Sequence, residues 1–164
     1  MTGPAARDRD PGGRARNARP RDELGRPLPW SAADVARVPE DLAPTPAEAA
    51  ELGGRLLAEG RPFHAHEVFE AAWKAAAGPD RELWRGLAQV AVGLTHARRG
   101  NARGAVTLLR RGAGHLAPFA GTAAAVDAGH VADQATAIAL RIERDGLAAV
   151  PEASLRLRLS RGAR

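Results

Sequence analysis

The sequence predicts an all-α protein, a compact bundle of five to six helices joined by short connections. Five stretches combine apolar residues at helical spacing with signals for a helix start and a helix end. No stretch shows the alternation that would indicate a confident strand. The length of 164 residues suits one domain with tails. We therefore expect a disordered N-terminal tail (1–29), a helical domain (30–147) and a basic C-terminal tail (148–164).

The first long helix has a capping box at its start. In the run Thr45-Pro46-Ala47-Glu48, threonine is the N-cap, proline takes the first helical position and glutamate takes the third. We expect this helix to end at Gly60. Its buried stripe is predicted to be Ala49, Leu52, Leu56 and Leu57.

Four further helices follow from similar signals. Gly100 is a suitable residue to end the third helix, and Asn101 is a suitable N-cap for the fourth. The apolar residues of the fifth helix recur at helical spacing. The expected bounds are about Pro62 to before Gly78, Asp80 to Arg99, Asn101 to Leu116, and His130 to Arg144, the last with Val131, Ala135, Ile138 and Ile142 facing inward.

Both ends of the chain are basic and poor in large apolar side chains. The segment 1–29 is rich in proline, glycine and arginine, so it cannot bury enough surface to offset its ordering entropy. We expect Trp30 to anchor its end on the core and to open a short helix over 31–38. The C-terminal residues from Pro151 alternate leucine and arginine, which we interpret as a frayed, basic end.

The net charge of +5 is unevenly distributed. Residues 1–30 and 151–164 each contribute +3, whereas 31–150 sum to −1. A nearly neutral domain argues against a groove for nucleic acid, although the tails could contact polyanions weakly. The absence of cysteine excludes disulfides and thiol chemistry. Without a secretory signal or a membrane-spanning run, we expect a cytoplasmic protein.

The second predicted helix places several chemically active side chains on one face. His66, Glu70 and Trp73 stand at positions i, i+4 and i+7, with Phe63 and Glu67 beside them. Such a face is either a site that binds or reacts, or the polar seam of a small core.

The third predicted helix has a stripe with a seven-residue period. Gly86, Gly93 and Gly100 recur at this interval, and so do Gln89 and His96. An interior glycine destabilises a helix by roughly 0.5–1 kcal/mol relative to alanine. We therefore expect the tryptophan and phenylalanine side chains of the second helix to pack against these glycines. The resulting cluster is predicted to contain His66, Glu67, Glu70, Trp73, Gln89 and His96.

Several interpretations of this cluster remain open. It could be a structural hydrogen-bond network, because buried histidine and glutamate must be paired or neutralised. It could bind a divalent metal through His66, Glu70 and His96, with Glu67 as the base of a metal-dependent hydrolase. It could also perform metal-free acid–base chemistry, or the bundle surface could bind a protein partner or a second copy of the chain. The run 66-HEVFE-70 is not the zincin pattern, which has histidine at its fifth position.

A second candidate site lies at the predicted start of the fourth helix. Arg99, Asn101 and Arg103 could bind an anion there, because the first N–H groups of a helix point outward. The simpler interpretation is a solvated basic face, since no glycine-rich phosphate loop accompanies these residues. A further alternative is a nucleic-acid accessory protein that acts through its arginine-rich tails.

The runs 63-FHAHEVFEAAWK-74 and 84-WRGLAQVAVGLTHARRGNARGAVTLLRRG-112 resemble a small prokaryotic family, domain of unknown function 309. The resemblance covers roughly 45–145 and implies an all-helical bundle in which the six cluster residues belong together. It implies no reaction. Because the sequence shows no complete catalytic set, we expect a non-enzymatic domain for binding or assembly. The matching positions are Phe63, His66, Glu67, Glu70, Trp73, Gly86, Leu87, Gln89, His96, Arg99, Gly100, Asn101, Gly104, Ala105, Leu108, Leu109, Arg111 and Gly112.

Overall fold

The protein is represented by a computed structural model. It describes residues 20–29, 38–39, 41–119, 122–123 and 125–161. The predicted helix at 31–38, apart from Val38, lies outside the described residues, as do Trp30 and the predicted disordered segment up to residue 19.

The described residues beyond position 37 form a helical bundle, which confirms the predicted fold class. Each helix packs on the next along the chain, and α3 has extensive contacts with both α2 and α4. None of the described helices is long and apolar enough to cross a membrane. The helices are α1 (Pro46–Ala58), α2 (Pro62–Ala75), α3 (Asp80–Arg98), α4 (Ala102–Leu116) and α5 (Ala128–Asp145).

The helix starts and ends follow from the capping residues. The Glu48 amide donates to the Thr45 hydroxyl at 3.2 Å, and the Glu48 carboxylate accepts from the Thr45 amide at 2.8 Å. The Asn101 side-chain oxygen accepts from the Gly104 amide at 2.9 Å and so starts α4. Helix α3 ends before Gly100, whose φ of 80° lies in the left-handed region that glycine favours. These caps are the predicted ones.

Residues 20–29 form a small turn. Arg21 and Pro27 make an isolated antiparallel bridge, and Gly25 between them has a φ of 71°. The Asp22 carboxylate accepts from the Arg26 amide at 2.8 Å and from the Arg26 guanidinium at 2.7 Å. Asx-type hydrogen bonds of this kind order a short turn without an apolar core.

Two very short strands precede the last helix. β1 (Thr122–Ala123) and β2 (Val126–Asp127) pair antiparallel. The side chain of Asp127 then accepts from the His130 amide at 2.9 Å, so Asp127 is the N-cap of α5. The helix therefore starts earlier than the predicted His130.

The glycines of α3 face α4. A methyl group added at Gly112 would lie 2.8 Å from the Gly86 carbonyl oxygen, and one at Gly93 would lie 2.9 Å from the Leu109 amide nitrogen. The prediction that aromatic side chains of α2 fill these positions is wrong. Phe69 instead packs on Gly53 of α1 and on Trp84, with the two ring centroids 6.2 Å apart.

Helix geometry explains this difference. Gly86 and Gln89 are three residues apart, which places them about 60° apart around the helix axis. That angle suffices to place the glycines against α4 while Gln89 lies in a cleft that α2 also borders. The sequence stripe therefore divides between two neighbouring surfaces.

The C-terminal segment 147–161 packs against the bundle, so the prediction of a frayed end is wrong for these residues. Leu155, Leu157 and Leu159 are buried, whereas the arginines between them are exposed. Polar contacts add to this packing: Gln134 exchanges two hydrogen bonds with the backbone of Arg158, at 2.9 and 3.3 Å. The alternation of leucine and arginine thus separates a buried side from a solvated side. The segment also contains short 3₁₀ turns at Leu147–Ala149 and Glu152–Leu155.

Candidate functional site

The exposed side of α2 carries a row of charged side chains at helical spacing. His66 Nε2 lies 3.6 Å from Glu70 Oε2, and Lys74 Nζ lies 3.1 Å from Glu70 Oε1. These three residues are four apart along the helix, so they stack on one face. Glu70 is therefore flanked by an imidazole on one side and an ammonium group on the other.

This face of α2 forms one wall of a cleft of about 240 Å³. The opposite wall belongs to α3, and α4 contributes one leucine at the edge. The lining is mixed, since it contains one acidic side chain, one guanidinium, one imidazole, one amide, an indole and aliphatic groups. The lining residues are His66, Glu70, Trp73, Arg85, Ala88, Gln89, Val92 and Leu108. We call this feature the α2–α3 cleft.

Two polar atoms of the cleft residues are buried without a hydrogen-bond partner among the described residues. They are Nδ1 of His66 and the side-chain carbonyl oxygen of Gln89. Native proteins pair the large majority of their buried polar atoms, so each exception requires an explanation. The predicted closed network of histidine, glutamate and glutamine is therefore incomplete at these two atoms.

Burial lowers the pKa of His66 below its ordinary value. The neighbouring carboxylates of Glu70 and Glu67 act in the opposite direction, and the Lys74 ammonium adds to the lowering. The net direction is downward, so the imidazole is neutral at neutral pH. A neutral His66 leaves Lys74 as the cation that balances Glu70.

The aromatic wall of the cleft is held by a second basic side chain. The guanidinium carbon of Arg81 lies 4.6 Å from the ring centroid of Trp73, which is the geometry of a cation–π contact. Arg81 stands one turn before Arg85 on α3, so both guanidinium groups lie along the same side of that helix. Sequence reasoning missed Arg85, although its position four residues before Gln89 was a usable signal.

The comparison with protein families gives one match. Residues 51–108 fit the family described as Domain of unknown function (DUF309). This segment of the chain is similar to the family. No curated protein and no solved structure matches the chain.

The DUF309 match is shorter than the expected range of about 45–145, but it spans the whole α2–α3 cleft. Its limits include α2, α3 and the start of α4 as far as Leu108, which is the cleft residue nearest the C-terminus. The description of the DUF309 family assigns no activity.

Two of the six predicted cluster residues do not line the cleft. Glu67 is one of them, although its negative charge acts to raise the pKa of His66. His96 lies at the end of α3, where its Nδ1 is 3.0 Å from the side-chain nitrogen of Asn101. Burial, with help from the Arg99 charge, lowers the pKa of His96, so its neutral Nδ1 accepts this hydrogen bond. The structure thus brings His66, Glu70, Trp73 and Gln89 together in the cleft.

The predicted metal ligands do not meet in one site. Within the described part of the chain, no three histidine, aspartate or glutamate side chains are arranged to hold a metal ion. His66 and Glu70 face the cleft, whereas His96 is engaged with the cap of α4. The role of Glu67 as a catalytic base stays a prediction. The described residues show no set of metal ligands beside Glu67.

The start of α4 offers little free capacity for an anion. The Asn101 side chain already accepts from the Gly104 amide, so it satisfies one of the N–H groups that would bind the anion. Arg99 and Arg103 are exposed beside it. Farther along α4, Arg110 pairs with Glu143, which raises the pKa of Arg110 and lowers that of Glu143. These contacts favour the simpler interpretation, in which this face is a solvated basic surface.

Proposed function

We propose that this DUF309 domain is a non-enzymatic binding domain whose recognition site is the α2–α3 cleft. One observation supports this proposal above the others. The cleft is open to solvent, yet two of its side chains, His66 and Gln89, each bury a polar atom that has no hydrogen-bond partner in the described part of the chain. A cluster that served only to hold the helices together would be expected to pair these atoms.

The energetic argument separates a structural role from a binding role. A buried polar atom without a partner costs about 1–3 kcal/mol, which is a large share of the stability of a small domain. An aliphatic side chain of similar size at position 89 would avoid that cost. Residues that reduce stability are characteristic of functional sites, where binding requires an arrangement that packing does not favour.

The size of the cleft limits what it can hold. Its volume of about 240 Å³ exceeds the roughly 150 Å³ cavity that holds benzene and falls below the roughly 300–1,000 Å³ of pockets for drug-sized ligands. The expected ligand is therefore a small molecule or one terminal group of a larger one. The Trp73 ring and the aliphatic side chains provide contact area, while Arg85 and Gln89 provide orientation.

A cleft-filling substitution tests this proposal. We expect Ala88→Phe to occupy the cleft and to abolish the binding of small fragments that perturb the Trp73 indole and Gln89 side-chain amide signals in ¹H–¹⁵N spectra. The fragment set should contain small acids, amides, amines and neutral aromatics. Ala137→Phe is the matched control, because Ala137 is exposed on α5 and lies outside the cleft.

Two results would contradict the proposal. One is that no fragment of any class perturbs the cleft signals of the wild-type protein. The other is that fragments bind equally well to the Ala88→Phe variant, which would place their site elsewhere. Both variants must retain the wild-type helical content, so that a loss of binding is not a loss of folding.

A further inference from the structure

The chemical class of the ligand can be argued from which cleft groups are already engaged; this inference rests on the proposed binding function. Two of the acceptor oxygens are paired or turned inward. One oxygen of Glu70 has the Lys74 ammonium at 3.1 Å, while the other lies 3.6 Å from the neutral His66 imidazole, which is too far for a hydrogen bond. The side-chain carbonyl of Gln89 is buried. A donor group of a ligand would therefore have to share Glu70 with Lys74 or rotate Gln89.

The donor groups are more readily available. Gln89 lines the cleft while its carbonyl oxygen is buried, so the opposite end of the amide, the NH₂ group, is the end directed to the cleft. Arg85 contacts Glu82 at 3.6 Å, and both side chains are 48% exposed. A pair at this distance and exposure contributes little to stability, so it exchanges readily for another partner.

Glu82 has a second partner that would remain if Arg85 turned toward a ligand. His115 Nδ1 lies 2.7 Å from the other carboxylate oxygen of Glu82. Releasing Arg85 therefore does not leave Glu82 without a hydrogen-bonding neighbour. The guanidinium group is a planar donor that matches a carboxylate in a bidentate arrangement.

The rest of the lining is apolar. Ala88 and Val92 of α3 and Leu108 of α4 border the cleft, and the Trp73 ring closes one side. Around the cleft, three basic side chains (Lys74, Arg81 and Arg85) balance three acidic ones (Glu67, Glu70 and Glu82). Because Arg85 is only loosely held, an apolar floor beside its guanidinium suits a molecule that has an apolar body and one negative end.

We infer that the α2–α3 cleft binds a small apolar carboxylate, with the carboxylate on the Arg85 guanidinium and the Gln89 amide and the apolar body against Trp73, Val92 and Leu108. The same chemistry occurs in a free branched-chain or aromatic acid and in the C-terminus of a peptide that ends in an apolar residue. The volume of the cleft is sufficient for either end group and too small for a larger part of a peptide.

Three probes of matched shape test the charge requirement. 4-Methylpentanoate, 4-methylpentanamide and 4-methylpentylamine are each titrated into the full-length protein at pH 7.5 and followed by ¹H–¹⁵N spectra. We expect the carboxylate to bind at least about tenfold more tightly than the amide, because it gains charge-assisted hydrogen bonds. We expect the amine to bind more weakly than either.

Arg85→Met should reduce the affinity for 4-methylpentanoate at least about tenfold and leave that for the amide nearly unchanged. Arg103→Met removes the same charge at the start of α4, outside the cleft, and should change neither affinity. Equal binding of acid and amide at the cleft would overturn the carboxylate inference while leaving the binding function intact. The absence of any cleft perturbation by all three probes would overturn both.

A second comparison distinguishes the two sources of the carboxylate. Acetyl-Gly-Gly-Leu with a free C-terminus is compared with its C-terminal amide and with 4-methylpentanoate. Tighter binding of the peptide acid than of 4-methylpentanoate would assign the site to a peptide C-terminus. Weaker binding of the peptide acid would assign it to a free small acid. A peptide amide that binds as well as the peptide acid would contradict the inference.

Discussion

The two sides of α3 are built in different ways. The side facing α4 is apolar and closely packed, with Gly86 and Gly93 opposite Gly112, Leu116 and Leu109. The side facing the α2–α3 cleft includes Arg85 and Gln89, and it buries the Gln89 carbonyl oxygen with no partner among the described residues. One helix therefore serves as a packing surface on one side and as the wall of a cleft on the other.

This difference indicates where the stability of the domain resides. Close approach of two backbones gains many van der Waals contacts and tolerates little change in volume. An open cleft gains few such contacts, and its unpaired polar atoms reduce stability. Substitutions on the packed side should therefore cost more stability than substitutions at the cleft. Two neighbouring residues of α4, one on each side, allow the first comparison.

The largest effect is expected from truncating a leucine on the packed side. Leu109 is fully buried against Gly93, so Leu109→Ala should reduce the free energy of unfolding by about 2–5 kcal/mol. Leu108, its neighbour in sequence, is partly exposed at the cleft, and Leu108→Ala should cost only about 1 kcal/mol. Urea denaturation of the two variants measures both values. Similar losses for the pair would contradict the distinction between the two sides.

A smaller effect is expected from adding one methyl group at the helix crossing. The new methyl of Gly112→Ala would lie 2.8 Å from the Gly86 carbonyl and 2.9 Å from the Val90 amide nitrogen, so two backbones must separate. We expect a loss of about 1–3 kcal/mol in unfolding free energy.

Gly114→Ala is the control on the same helix. Outside its own stretch of helix, no atom of the described residues lies within 4 Å of the added methyl, so the substitution should raise stability by roughly 0.5–1 kcal/mol through helix propensity. Thermal denaturation followed by circular dichroism is sufficient to compare the two. A stabilised Gly112→Ala variant would show that α3 and α4 are less closely packed than these distances indicate.

On the cleft side, removing a polar group should leave the free energy of unfolding unchanged or raise it. Gln89→Met keeps the length of the side chain and removes a buried carbonyl without a partner, so stability should be unchanged or rise by up to about 1 kcal/mol. Asn101→Ala removes a polar group that does make its hydrogen bonds, and should cost about 0.5–2 kcal/mol. If Gln89→Met were as destabilising as Asn101→Ala, Gln89 would belong to a structural network.

The local features of the fold were predictable because they depend on residues close in sequence. The capping box at Thr45 and the cap at Asn101 are complete within four residues, so the sequence alone defines them. The partner of the glycine stripe was not predictable in the same way, because it depends on the rotation of α3 between two neighbours. A shift of about 60° around the axis decides whether α2 or α4 meets the glycines.

The candidate site was predictable to a similar degree. Helical spacing on α2 brought His66, Glu70 and Trp73 together correctly. His96 was assigned to the same cluster because it follows Gln89 by seven residues, but its position at the end of α3 gave it a different partner in Asn101.

The buried leucines of the C-terminal segment were missed because a short alternation of apolar residues has no intrinsic structure until it packs against the surface of a bundle.

The smallest expected effect is the pH dependence that His66 contributes. Its pKa is lowered in the folded protein, mainly by burial, so the unfolded chain binds a proton more readily as the pH falls below the ordinary value of 6.5. Unfolding is then favoured, and stability should decrease as the pH falls from 6.5 toward 5. His66→Gln removes this contribution, so its melting temperature should fall less over that range.

Above pH 7.5 the imidazole is neutral in both states, and the melting curves of wild type and variant should change in parallel there. His96→Gln should also reduce the loss of stability at acidic pH, since burial lowers the pKa of His96 as well. Because the two histidines occupy different surroundings, their effects should add in the double variant. A steeper acid decrease in His66→Gln would mean that the charged imidazole is favoured beside Glu70 and Glu67, and that the cleft presents a cation at mildly acidic pH.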